Sequence, residues 1–148
     1  MARTPKGTPT IDEPDSGPRP FSWRGEGDVL LAEDEPTVRR VAERALQRLG
    51  FTVTSSSNGR EAVELFGAEP DRWCLVVLDL MMPVMPGDEA LERILAMRRD
   101  IAALLYSGYS VEDVEQRLAA LGRVGFLQKP FTVRALSDAV RAVLGPPP

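Results

Sequence analysis

The tetrapeptide Leu75-Val76-Val77-Leu78 constrains the fold more than any other stretch of this chain. It is a strand-length run with no polar alternation, the pattern of a β-strand buried on both faces, as in a parallel sheet covered by helices. It ends on Asp79, and a turn rich in Pro and Gly follows, Leu80-Met81-Met82-Pro83-Val84-Met85-Pro86-Gly87. A carboxylate therefore stands where a buried strand surfaces. A strand that merely stops on a solvated polar residue would look the same, so the weight of Asp79 depends on what the other strand ends bring to it.

The rest of the chain supplies those ends. Residues 1–27 hold five prolines and four glycines with balanced charge and no apolar period, the composition of a disordered leader or linker. Phe21 and Trp23 are its aromatic exceptions, either docked on the domain or simple linker residues. From Asp28 strands alternate with helices. Val29–Ala32 reads as a strand that runs into Glu33-Asp34-Glu35-Pro36. Asp34 is expected to cap a helix starting near Pro36, with an apolar stripe of Val38, Val41, Ala42, Ala45, Leu46 and Leu49 and a stop at Gly50. Phe51–Ser55 is a second strand, and Asn58-Gly59 opens a helix with Ala62, Val63, Leu65 and Phe66. After the Asp79 loop, Asp88 is expected to cap a helix burying Leu91, Ile94, Leu95 and Met97. Ile101–Tyr106 is a strand ending on Ser107-Gly108, a helix is expected from about Val111 through Leu118, and Val124–Leu127 is a short strand ending at Gln128-Lys129-Pro130. Thr132 caps a last helix with the stripe Val133, Leu136, Val140, Val143 and Leu144, and residues 145–148, a glycine and three prolines, form a tail. Five strands, each followed by a helix through short connections, predict an α/β domain over 28–144 with a doubly wound parallel sheet between two helical layers.

Composition removes several chemistries. The 148 residues suffice for one core without staples, and Cys74 is the only cysteine, so disulfide frameworks and thiolate zinc sites are excluded. There is no histidine, which excludes Ser-His-Asp and Cys-His catalysis, imidazole metal ligation and a phosphohistidine carrier role. A net charge of −4 without a basic stripe argues against direct nucleic-acid binding. With no apolar run of bilayer length and no signal-like N-terminus, a cytoplasmic setting is expected.

In doubly wound sheets the ligand lies beyond the carboxyl ends of the strands, where strand order reverses. That rule gathers Glu33, Asp34, Asp79, Ser107 and Lys129. Three carboxylates a few ångströms apart repel by about 4 kcal/mol per pair at the effective dielectric of a protein cleft. A hard divalent cation relieves this, and an all-oxygen donor set points to Mg²⁺ or Mn²⁺ rather than zinc. Such a site accepts a phosphoryl group, with Lys129 and Ser107 meeting its oxygens and one carboxylate acting as nucleophile; Asp79, on the central strand, is best placed.

The chain resembles the receiver (response-regulator) domain of two-component signalling. The matching residues are Glu33-Asp34 after the first strand, Asp79 with Pro83 and Gly87 four and eight positions on, Ser107-Gly108 after the fourth, and Lys129-Pro130-Phe131 after the fifth. The resemblance implies a flavodoxin-like strand order 2-1-3-4-5. It implies that Asp79 is the phosphoacceptor in a His-Asp phosphorelay, taking its phosphoryl group from a histidine kinase or histidine phosphotransfer protein. Asp34 and Asp79 would hold the metal directly, Glu33 through water, and the backbone carbonyl of Met81 would complete the site. Lys129 would contact phosphoryl oxygens, Ser107 would move to bond them, Phe126 would be the switch aromatic, and Lys129-Pro130 would be cis. A downstream protein would read the change, on a face made by the last two helices that could also support a homodimer.

Glu33 stands where Asp is commoner in the family, and Ser107 where Thr is commoner. Met81 and Tyr109 are bulky at positions that influence phosphoryl lifetime, so slow hydrolysis is expected. One rival is a Mg²⁺-dependent phosphatase with an aspartyl nucleophile, which would place a second Asp where Met81 stands; another is a degenerate receiver that only binds partners. Within the receiver reading, with no output domain after Leu144, the chain is expected to be either a stand-alone protein or the terminal receiver of a hybrid histidine kinase, and Ser22-Trp23-Arg24-Gly25 and the run Leu104-Leu105-Tyr106-Ser107-Gly108-Tyr109-Ser110 look more like the latter.

Overall fold

The computed structural model describes residues 25–108 and 123–145. The expected helix at Val111–Leu118, and Phe21, Trp23 and Tyr109, lie outside the described residues. The elements are β1 (Asp28–Ala32), α1 (Pro36–Arg48), β2 (Thr52–Ser56), α2 (Gly59–Ala68), β3 (Trp73–Asp79), α3 (Gly87–Met97), β4 (Ala102–Ser107), β5 (Val124–Gln128) and, last among the described helices, α4 (Val133–Leu144). The five strands form one parallel sheet in the order β2-β1-β3-β4-β5. This is the expected flavodoxin-like arrangement.

Strand alternation sorts the core into two layers. Leu30, Val76, Leu78, Ala103 and Leu105 face Ala62 and Phe66 of α2 and Leu91, Ile94 and Leu95 of α3. Val29, Leu31, Leu75, Val77, Leu104 and Tyr106 face Ala42, Ala45 and Leu46 of α1 and Leu136 and Val140 of α4. Leu75 to Leu78 have no exposed surface, as the unbroken apolar run requires. Burying one such side chain contributes about 2 kcal/mol, and four in succession make β3 the rigid axis of the sheet.

The helix termini follow local chemistry with two corrections. Asn58 caps α2 by accepting from the Glu61 amide at 2.8 Å, and Thr132 caps α4 by accepting from the Ala135 amide at 2.9 Å. Asp34 does not cap α1. The cap position is Glu35, whose amide donates to Glu33 Oε2 at 2.9 Å, while the Asp34 carboxylate lies with those of Glu33 and Asp79. Asp88 does not cap α3 either: Pro86 holds that position, and the Asp88 carboxylate accepts from the adjacent Glu89 amide inside the first turn. Three apolar residues assigned to buried stripes, Val41, Met97 and Val133, are exposed, because the stripes facing the sheet are narrower than their spacing suggests.

At the N-terminal edge the Gly25 amide donates to the Leu49 carbonyl at 2.7 Å, and Thr52 donates to the Gly27 carbonyl at 2.9 Å. Among the described residues no helix is long and apolar enough to cross a membrane.

Candidate functional site

Because β1 pairs with β2 on one side and β3 on the other, the chain leaves β1 and β3 toward opposite helical layers, and a cleft opens between their carboxyl ends. Glu33 follows β1 directly and is fully buried, Asp79 ends β3 at 1% exposure, and Asp34 is exposed at the rim. One carboxylate oxygen from each of the three lies within 4.8 Å of the others.

The backbone around Glu33 is clamped from two sides. Its amide donates to the Ser56 carbonyl at 3.1 Å, and its carbonyl accepts from the Arg39 guanidinium at 2.8 Å. Its side chain is engaged at both oxygens: Oε2 accepts from the Glu35 amide, and Oε1 accepts from the Tyr106 hydroxyl at 2.6 Å. Asp79 accepts from the Met81 amide through Oδ1 at 3.1 Å and from Lys129 Nζ through Oδ2 at 3.0 Å.

Lys129 bridges the two buried acids, its ammonium also standing 3.3 Å from Glu33 Oε1. It reaches them because its own amide donates to the Ser107 carbonyl at 2.7 Å, continuing the β4–β5 ladder, and because the chain turns through a cis Lys129-Pro130 bond. Burial pulls the Lys129 pKa down, but the hydrogen bond and charge of Asp79, joined by Glu33, outweigh it and leave the group above the usual lysine range. Lys129 Nζ also sits 5.1 Å from the centroid of the Tyr106 ring, and Phe131 packs edge-on against that ring with centroids 5.4 Å apart.

Ser107 is buried at the end of β4, beside the cleft. Phe126 is half-buried in β5, in register with Leu105 and packed against the core on the α2–α3 side. The loop after Asp79 is held close by Gly87, whose amide donates to the Leu80 carbonyl at 3.1 Å; a Cβ there would fall 2.3 Å from the Asp79 carbonyl oxygen. Val84, in the same loop, has φ 71°, with the Met85 amide donating to the Pro83 carbonyl at 2.7 Å. That is a tight three-residue turn around a β-branched residue, a costly conformation.

The sequence residues therefore converge. Glu33, Asp34, Asp79 and Lys129 meet in one cleft, with Ser107 at its edge, while Phe126 is a packing residue in this conformation. Tyr106 and Arg39 were missed. The signal for Tyr106 was its place as an aromatic with a polar tip one residue before Ser107 at a strand end. Arg39 carried none, as a basic residue in the second turn of an amphipathic helix. The donor set is all oxygen, and three carboxylates at this spacing suit a hard divalent ion with oxygen ligands at about 2.1 Å.

A doubly wound parallel sheet with three acids and a lysine at the carboxyl ends of its strands defines the receivers of two-component signalling. Residues 29–141 match the Response regulator receiver domain family, and the chain belongs to it. It is 38% identical over 123 residues to the sensor kinase CckA of Brucella abortus, covering 81% of this chain and 13% of the kinase. It is 31% identical over 116 residues to the response regulator receiver protein CpdR of the same organism, covering 78% of this chain and 95% of that protein. Among solved structures, response regulator TrrA from Thermotoga maritima, in complex with Mg²⁺ and BeF, superposes with a TM-score of 0.70 at 26% identity, covering 80% of this chain and 99% of that one. The chain spans 13% of the kinase and under half of the transcriptional regulators ycf27 that it also matches. Residues 29–141 are thus a receiver domain, a signalling module.

Proposed function

We propose that Asp79 accepts a phosphoryl group from the phosphohistidine of a histidine kinase or histidine phosphotransfer protein, with Mg²⁺ or Mn²⁺ in the acidic cleft. The observation that carries this reading is the placement of the buried Asp79 carboxylate at the end of the central strand, 3.0 Å from Lys129 and grouped with the carboxylates of Glu33 and Asp34. A carboxylate oxygen of Asp79 attacks phosphorus, the P–N bond breaks, and the imidazole leaves with its electron pair and takes up a proton. Lys129 meets the charge on the transferred group, and Ser107 donates to one of its oxygens. Asp34, Asp79 and the Met81 carbonyl would hold the cation and Glu33 would act through water, with the carboxylates of Glu33, Asp34 and Asp79 already grouped in the cleft. The bound cation neutralises part of the negative charge on the phosphoryl oxygens.

The added charge then shifts the population of two conformations, with Ser107 moving toward the phosphoryl group and Phe126 following. The face that includes α4 presents the change to a downstream protein or to a second copy of the chain; the other helix expected on that face, at Val111–Leu118, lies outside the described residues. The receiver occupies residues 28–144 in a cytoplasmic setting, with Gly25 and Gly27 hydrogen-bonded to its edge. The kinase relative, of which this chain matches a small part, favours a hybrid kinase's receiver as a second reading; CpdR, matched over nearly its whole length, favours a stand-alone one.

Radiolabelled acetyl phosphate with Mg²⁺ tests the proposal. The native chain is expected to take up label, lose that ability with a chelator, and take up none as Asp79→Asn. Equal labelling of Asp79→Asn and the native chain refutes it.

A further inference from the structure

Tyr106 is the buried polar group of the cleft to which the phosphoryl-transfer scheme gives no task. Its side chain is 1% exposed, and its hydroxyl donates to Glu33 Oε1 across 73 positions of sequence. Its ring lies beneath the Lys129 ammonium and against the edge of Phe131, so the hydroxyl is held in place by packing on two sides. Its backbone is fixed as well: the Tyr106 carbonyl accepts from the Leu80 amide at 2.9 Å, directly after the phosphoacceptor. Burial, and then the charge of Glu33, push its pKa upward, so the hydroxyl remains a donor throughout the physiological range.

Glu33 Oε1 has two suitors, the Tyr106 hydroxyl at 2.6 Å and the Lys129 ammonium at 3.3 Å, whereas Lys129 lies closer to Asp79, at 3.0 Å. A carboxylate oxygen that already accepts a short hydrogen bond from a fixed phenol is less free to close further onto the ammonium. Without that bond Lys129 would become the sole partner of Oε1 and would act as an internal cation competing with a metal ion for the same acid.

We infer that Tyr106 is a positioning residue of the acidic cleft: its hydroxyl shares Glu33 Oε1 with the Lys129 ammonium and so keeps the carboxylate grouped with Asp34 and Asp79 rather than committed to Lys129 alone. This rests on the reading that Glu33, Asp34 and Asp79 surround a divalent cation. The substitution Tyr106→Phe removes one oxygen and keeps the ring with its contacts to Lys129 and Phe131. Hydrogen-bonding partners of this kind, when removed, weaken metal affinity by about 10- to 100-fold.

The experiment is a Mg²⁺ titration of the full chain, followed by backbone amide NMR shifts so that weak binding remains measurable. It uses the native protein, Tyr106→Phe, Glu33→Gln and the double variant. Tyr106→Phe is expected to weaken Mg²⁺ binding about tenfold in the native background and by less than about twofold when Glu33 is already glutamine. A change below about twofold in the native background overturns the inference, as does an equal loss in both backgrounds, which would mark a packing defect independent of Glu33. A native chain that binds no Mg²⁺ overturns the metal reading together with this one; native binding with a silent Tyr106→Phe overturns the positioning role alone.

Discussion

Replacing Lys129 by methionine is expected to destabilise the metal-free domain far more than the loss of an ordinary surface lysine. In the native fold the ammonium stands 3.0 Å from Asp79 and 3.3 Å from Glu33, and both acids are buried. At an effective dielectric near 20 each contact is worth about 5 kcal/mol before desolvation and side-chain ordering are subtracted. Removing one partner of a fully buried pair costs about 3–5 kcal/mol; with the lysine side chain 24% exposed, water partly replaces it, and about 3 kcal/mol is expected. Methionine fills most of the aliphatic stem's volume, so the loss reports the charge. Urea unfolding in chelator should show this deficit, and saturating Mg²⁺ should shrink it, because the cation offsets the same two carboxylates. The sign with pH follows from the raised folded-state pKa of Lys129. Its contribution is complete below the unfolded lysine value of about 10.4 and is lost as pH rises through the higher folded value, so the difference should stay flat from neutral to mildly alkaline pH. A deficit below about 1 kcal/mol, the range of surface pairs, or one that Mg²⁺ leaves unchanged, refutes the reasoning.

Val84→Asn should stabilise the chain by about 1 kcal/mol in the same urea assay, since Val84 is 67% exposed at φ 71° and asparagine tolerates that conformation; an unchanged or lower midpoint would show that the turn stores no strain. Gly87→Ala places a Cβ 2.3 Å from the Asp79 carbonyl oxygen and should cost about 2 kcal/mol and slow acetyl phosphate labelling, whereas native-like values for both would mean that the loop yields without moving the acceptor. Met81, 58% exposed next to Asp79, is expected to shield the acyl phosphate from water. Met81→Asn should lose label about threefold faster, roughly 0.7 kcal/mol in barrier, and slower loss than in the native chain would contradict it.

The sheet, its helical layers and most of the candidate site are legible in the order of the residues. A strand buried on both faces shows in four consecutive apolar residues, and a helix shows in its three-four stripe, because both periods are local properties of the backbone. Glu33, Asp34, Asp79, Ser107 and Lys129 were legible for a related reason: in a parallel sheet every strand ends on the same side, so residues remote in sequence are placed together by topology alone. Tertiary structure decided what those residues do with their hydrogen bonds. Asp34, a capping residue by its position, gives its carboxylate to the cluster, and the Glu35 amide is satisfied by Glu33 instead. Val41, Met97 and Val133 match their stripes in spacing but lie outside the width that the sheet covers. The pairing of Tyr106 with Glu33 needs β1, β3 and β4 packed side by side, and a hydrogen bond over 73 positions has no local signature. A buried donor's partner is chosen by what the packed fold leaves within about 3 Å, and that distance exists only once the strands are assembled.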